Sequence, residues 1–231
     1  MKNSILDILE PLTIIGGGDC TVEDIQLART IAPICVAADG GAHIALSAGV
    51  PLTAVIGDMD SISNEARAQI SAEKFHHIAE QDSTDFDKVL RHVSAPLSIA
   101  VGFSGGQVDH ALAALHTLVV YCHKWIILLG EQDIIFLCPP QMALSVEAGT
   151  RVSLFPLGPV RGTSTGLEWP IDGIDFAPGQ RSGTSNRATG DITLTLERPN
   201  MLCILPRSLI QPVARLFADA QAPAQWSSRA V

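Results

Sequence analysis

Several short stretches of this chain set aspartate between an apolar run and a helix-like segment: Asp39 in AADGGA, Asp58 and Asp60 in IGDMDS, Asp85 in STDFD and Asp109 in GGQVDH. Two like charges one residue apart, as at Asp58 and Asp60, repel. Each raises the other's pKa unless something positive sits between them or water solvates both. A hard divalent cation relieves that repulsion, and Mg²⁺ suits carboxylate oxygens that must also receive phosphate. Glycines at 16–18, 40–41 and 105–106 supply a second ingredient, because backbone amides approach a phosphate closely where no side chain intervenes. Together these residue types could do metal-assisted chemistry on a phosphorylated ligand. A single D-x-D serves equally well in a turn or at a helix cap, and GGGD matches neither the dinucleotide fingerprint nor the P-loop. The argument rests on repetition, since turns do not need an acid after strand upon strand.

Those strands must position the acids. LTII followed by GGG and TVEDIQLARTIA reads as strand, glycine turn and helix, with Thr21 as N-cap and Asp24 at the capping-box position. ICVAADGGAHIALSAG, LTAVIGDMDSISNEARAQI, KFHHIAEQDSTDFDKVLRHV and LSIAVGFSGGQVDHALAALHTLVVYC repeat the theme, with Thr84 placed to cap the helix that begins at Asp85. WIILLGEQDIIFLCPP begins a sixth unit. Repeated units of this kind predict an α/β domain on a parallel sheet, whose ligands gather at the carboxyl ends of the strands. After about residue 140 the pattern changes to short period-2 runs with Gly and Pro between them. Val152, Leu154, Ile192, Leu194 and Leu196 mark the inward faces. This predicts a smaller all-β sandwich or barrel domain, so the expected division is 1–140 and 141–231. Pro212 is expected to interrupt the one helix-like stretch there, and the tail from Gln221 is expected to be loose.

Composition narrows the function. Lys plus Arg number 15 against 24 Asp plus Glu, a net charge of −9, and no basic stretch occurs, which argues against a nucleic-acid face. The hydrophobic run ALAALHTLVVYCHKWIILLG is broken by His and Lys and does not read as a membrane span. Five scattered cysteines with no C-x-x-C fit buried free thiols in a reducing cytoplasm.

AADGGA, PLTAVIGDMDSI, QDSTDFDKVL, GFSGGQVDHALA, GLEWPI and TSNRATGDITL, in this order, resemble the thiamine pyrophosphokinase family. The resemblance implies an α/β catalytic domain joined to a β domain that binds thiamine and takes part in dimerisation. It also implies a homodimer that needs Mg²⁺ and transfers the pyrophosphoryl group of ATP to thiamine. By motif, Asp58, Asp60 and Asp85 would be the metal ligands and, with Lys88, the catalytic set. Gly17, Ser61, Thr84, Gln107, Asp109 and His110 would lie on the phosphate and nucleotide side. Asp39 and Gln81 would lie near thiamine or the metals. Trp169 would pack on the thiamine rings, and Ser185 and Asn186 would hydrogen-bond its pyrimidine. Two positions depart from the family pattern: Gln107 stands where Arg is usual, and Ala114 where Asn is frequent. A neutral amide cannot neutralise phosphate or grip it bidentately. The alternatives are a non-catalytic thiamine or nucleotide binder and a metal-dependent diphosphate hydrolase.

Overall fold

A computed structural model describes residues 4–219 and 222–228. Packing divides the chain into two units, the first running to Thr117 with Leu128–Glu131, the second holding Leu118–Ile127 and the rest from Gln132.

In the first unit the elements follow as β1 (Leu6–Asp7), β2 (Leu12–Ile15), α1 (Val22–Arg29), β3 (Ile34–Ala38), α2 (Gly41–Ser47), β4 (Ala54–Gly57), α3 (Asn64–Gln69), β5 (Phe75–His77), α4 (Asp85–His92), β6 (Val93–Ser94), β7 (Ser98–Val101) and α5 (Val108–Val120). The five expected strand–loop–helix units are therefore β2–α1, β3–α2, β4–α3, β5–α4 and β7–α5. Their strands pair in parallel in the order β7-β2-β3-β4-β5. The short β1 pairs separately with β6. Strands β2, β4 and β7 are buried along their whole length, as near-continuous apolar runs in a sheet covered on both faces should be. A parallel sheet puts every strand's carboxyl end on one edge, which brings the loops after β2, β3, β4 and β7 together. Thr21 caps α1 in a reciprocal box: its side chain accepts from the Asp24 N–H (3.1 Å), and Asp24 Oδ2 accepts from the Thr21 N–H (2.8 Å). Thr84 accepts from the Asp87 N–H (3.2 Å) and so starts α4 at Asp85.

After β8 (Ile126–Leu129), the second unit is built from β9 (Asp133–Leu137), β10 (Gln141–Leu144), β11 (Arg151–Pro156), β12 (Gly162–Leu167), β13 (Thr184–Leu196), β14 (Met201–Pro206) and α6 (Ile210–Ala218). Its pairings, β9–β14, β14–β11, β11–β13, β10–β13 and β12–β13, are all antiparallel. Val152, Leu154, Ile192, Leu194 and Leu196 are all buried, as their alternation requires. GLEWPI is only partly strand. Strand β12 ends at Leu167, leaving Trp169 in the turn beyond it. Pro212 does not break the last helix. It sits in the first turn of α6, where a missing N–H costs no intrahelical bond. Nor is the tail loose across 222–228, because Trp226 Nε1 donates to the Cys138 carbonyl (2.8 Å) and the Cys122 thiol to that of Ser227 (3.4 Å). The rest of that tail, residues 221 and 229–231, lies outside the described residues. No described helix is long and apolar enough to cross a membrane.

Candidate active site

The loops after β3 and β4 bring three carboxylates together. One oxygen each from Asp39, Asp58 and Asp60 lie within 4.8 Å of one another. Backbone conformation is unusual at this spot. Asp39 (φ 40°) and Met59 (φ 66°) are the non-glycine residues with positive φ among those described, and such strain persists only where the surroundings impose it. Asp39 packs against β4: its N–H donates to the Ile56 carbonyl (2.9 Å), and a β-carbon on Gly57 would stand 2.7 Å from that of Asp39. At Met59, Arg67 of α3 reaches the turn, its Nη2 donating to the Met59 carbonyl (2.6 Å). His43 of α2 lies beside the same loop, its Nε2 accepting from the Ser63 N–H (3.2 Å).

Lys88 supplies a positive group to one of the two adjacent aspartates, Asp58, and to Asp85. Its side chain is only 2% exposed, and Nζ donates to Asp58 Oδ2 (2.8 Å) and Asp85 Oδ1 (3.1 Å). The Lys88 hydrogen bond holds the Asp58 carboxyl down to about 2, the reverse of the rise that mutual repulsion alone would give. Burial raises the Asp85 pKa despite the same lysine. Burial alone would lower that of Lys88, but its bonds to Asp58 and Asp85 raise it. Gln81 Nε2 also donates to Asp58 Oδ2 (3.2 Å), the Asp60 N–H to Asp58 Oδ1 (3.3 Å) and the Ser61 hydroxyl to Asp60 Oδ1 (2.9 Å).

Asp39 is 1% exposed, and its Oδ2 accepts from the Ser61 N–H (3.3 Å). Its Oδ1 is buried with no hydrogen-bond partner. A buried carboxylate oxygen without a partner is costly. Two more carboxylates beside it make an all-oxygen donor set that fits a hard cation such as Mg²⁺. Asp85 stands outside this trio, engaged with Lys88.

Of the residues singled out in the sequence, the fold thus joins Asp39, Asp58, Asp60, Ser61, Gln81, Asp85 and Lys88 in one network. Thr84 caps the helix carrying Asp85 and Lys88. Gly17 follows β2 on the same sheet edge, and a β-carbon there would lie 3.6 Å from Gly40. Gln107, Asp109 and His110 lie exposed at the start of α5 and share no hydrogen bond with the carboxylates among the described residues. Sequence reasoning missed Arg67 and His43, since neither lies in a recognisable motif. Thiol chemistry has no place here. All five cysteines are free, four are buried, and burial, then Asp24 and Asp19, push the Cys20 thiol up to about 11.

In the second unit, Trp169 is 53% exposed and Asn186 3% exposed. Asn186 Nδ2 donates to the Trp169 carbonyl (2.6 Å), and Asn186 Oδ1 accepts from the N–H groups of Trp169 (3.2 Å) and Arg187 (2.9 Å). Ser185, next to it on β13, is exposed.

Two family models match this chain: the thiamin pyrophosphokinase catalytic domain over residues 26–128, and the thiamin pyrophosphokinase vitamin B1 binding domain over 141–201. Together they take in more than two thirds of it. Thiamine pyrophosphokinases 3 and 1 of rice (Oryza sativa subsp. japonica) are 28% and 30% identical, each over 56% of this chain. The match spans 56%, just over half, of the length of these curated relatives. Among solved structures, thiamin pyrophosphokinase from Geobacillus thermodenitrificans superposes with a TM-score of 0.68 at 22% identity, over 85% of this chain and 96% of that one. The enzyme from Candida albicans gives 0.71 at 17% identity, over 86% and 89%. Identities this low speak for the fold.

Proposed function

Since the chain belongs to the thiamin pyrophosphokinase family, we propose that it transfers the pyrophosphoryl group of ATP to the hydroxyl of thiamine, giving thiamine diphosphate and AMP. The observation that carries this reading is the Asp39–Asp58–Asp60 trio with its unpartnered buried oxygen, set beside Lys88. Mg²⁺ would be held by these three carboxylates, with Asp85 adjacent, and when bound would offset phosphate charge and orient the transferred group.

The chain's own residues supply positioning. An ammonium has three donors, and Lys88 spends two on Asp58 and Asp85, leaving one for a phosphate oxygen. The Ser61 hydroxyl can exchange Asp60 for phosphate. The Gly17 and Gly105 amides and the start of α5, with Gln107, Asp109 and His110, would face the nucleotide, whereas the N–H groups of Gly16, Gly18 and Gly106 are taken by the Val101 and Gly102 carbonyls and Asp19. The exposed Trp169 indole suits a cationic thiazolium, and the net charge of −9 favours both that cation and its metal. Holding reactants in line against preorganised charge supplies most of the rate in such transfers.

The working form in this proposal is a cytoplasmic homodimer, with the carboxylates of one copy facing the β unit of the other. Free cysteines fit a reducing compartment. Light scattering should report two chains per particle. The purified protein, mixed with Mg²⁺, ATP and thiamine, should release AMP and thiamine diphosphate together. Thiamine binding without AMP would make it a binder, and AMP release without thiamine would make it a hydrolase.

Gln107 is the weak point of the nucleotide side. Gln107→Arg should lower the KM for ATP about tenfold, because a charge-assisted bond to phosphate is worth roughly 1.5–3 kcal/mol. An unchanged KM would mean that another cation already fills the place.

A further inference from the structure

Asn186 lies on β13 directly after Ser185, where direct contact with a substrate was expected. Most of its amide is already spent. An Asn side chain offers one oxygen with two lone pairs and two N–H donors. Both lone pairs are taken, by the Trp169 and Arg187 N–H groups at 3.2 and 2.9 Å, and one donor is taken by the Trp169 carbonyl at 2.6 Å. These backbone partners also fix which end of the amide is oxygen and which nitrogen. One N–H remains, on a residue 3% exposed. Such a side chain cannot pair with both a donor and an acceptor on a pyrimidine.

What it does grip is the peptide of Trp169, on both sides of the α-carbon. Trp169 needs such a grip because the strand that leads to it has ended. The β12–β13 pairing shifts register between Thr165 and Leu167. The shift depends on Gly166 at φ 73°, where a β-carbon would fall 2.0 Å from the Asp191 carbonyl oxygen. Irregularities of this kind re-aim a side chain at the cost of ladder bonds. Beyond it, the Glu168 N–H still donates to the Arg187 carbonyl (2.8 Å), and then Asn186 takes over the role of a strand partner for Trp169. Trp169 as a whole stays 53% exposed.

We propose that Asn186 is a positioning residue that clamps the Trp169 backbone and so fixes the direction of its indole, rather than a residue that touches substrate. Its consequence for catalysis rests on the reading above that Trp169 faces thiamine. The clamp itself does not.

The test therefore has two arms. In the first, the protein is labelled with 5-fluorotryptophan, and the Trp125, Trp169 and Trp226 lines are assigned by single Trp→Phe changes. Asn186→Ala should shift or broaden the Trp169 ¹⁹F line and leave the other two in place. If Asn186→Ala does not fold, Asn186→Asp keeps both acceptor contacts and sets an oxygen against the Trp169 carbonyl, and the same line should move. An unmoved Trp169 line in the folded variant overturns the proposal. In the second arm, the variant's KM for thiamine should rise about tenfold, the effect of roughly one net hydrogen bond, with KM for ATP within about twofold of the parent. In a Trp169→Ala background, Asn186→Ala should add nothing further, because a residue acting only through Trp169 has nothing left to act on. An equal rise in that background would mean direct contact and overturn the proposal. A moved Trp169 line in a parent protein that does not turn over thiamine leaves the clamp standing and removes the substrate reading alone.

Discussion

Asp58→Asn should lower Mg²⁺-dependent turnover on the order of 10²–10³-fold, the usual cost of removing one preorganised electrostatic group from a reacting centre. Affinity for Mn²⁺, followed by electron paramagnetic resonance as a probe of the cation site, should fall with it. Relief of charge repulsion would by itself make the variant slightly more stable. The structure points the other way. Asp58 is one of the two carboxylates that neutralise a lysine only 2% exposed, so the Asn variant should unfold at lower urea than its parent. Full activity in the folded variant, with unchanged Mn²⁺ binding, would remove Asp58 from the metal site and the metal from the proposed mechanism.

The second large effect concerns that lysine. Lys88→Met keeps the stem and deletes the charge, leaving Asp58 and Asp85 side by side without a cation. Breaking a buried pair by removing one partner costs about 3–5 kcal/mol. The lower figure applies here, because the Asp85 side chain is 37% exposed and draws on solvent. Without metal, the variant should lose about 3 kcal/mol in urea unfolding. Millimolar Mg²⁺ should return part of that loss, since a cation bound only by the folded state stabilises it by mass action, and it should do less for the parent. A metal-free unfolding midpoint equal to the parent's would mean that Lys88 does not hold the site together.

Much of the fold could be read from the chain because its signals are local. Apolar runs bounded by glycine marked four of the five parallel units, Thr21 and Thr84 marked helix starts, and Val152, Leu154, Ile192, Leu194 and Leu196 alternated as buried strand faces do. Two charges one residue apart in IGDMDS also called for solvent or for a positive group. Its identity as Lys88, 30 residues further on, depended on which helix packs against β4. The unpartnered Asp39 oxygen depended on how closely Gly57 approaches. Arg67 was invisible for a related reason: its target is a backbone carbonyl, and a carbonyl carries no sequence signature. The surroundings of Asn186 were hidden in the opposite sense. The family motif implied a pyrimidine contact for Ser185 and Asn186 alike, and strand alternation leaves Ser185 exposed while it turns Asn186 inward. Trp226 showed nothing in a stretch of small and polar residues, because its anchoring needs only the one carbonyl of Cys138.

Strand β13 links these points to how the protein comes into being. It takes β11 as partner along its first half and both β10 and β12 along its second. All three lie earlier in the chain. As the polypeptide leaves the ribosome, residues 141–167 therefore emerge without the strand that holds them together, and they stay so until residue 196 has been made. The segment bearing Trp169 is synthesised ahead of Asn186, the asparagine that hydrogen-bonds its backbone. The parallel strands β2, β3, β4, β5 and β7 are all complete by Val101, so the carboxylate edge can assemble while the indole face is still waiting for its last strand.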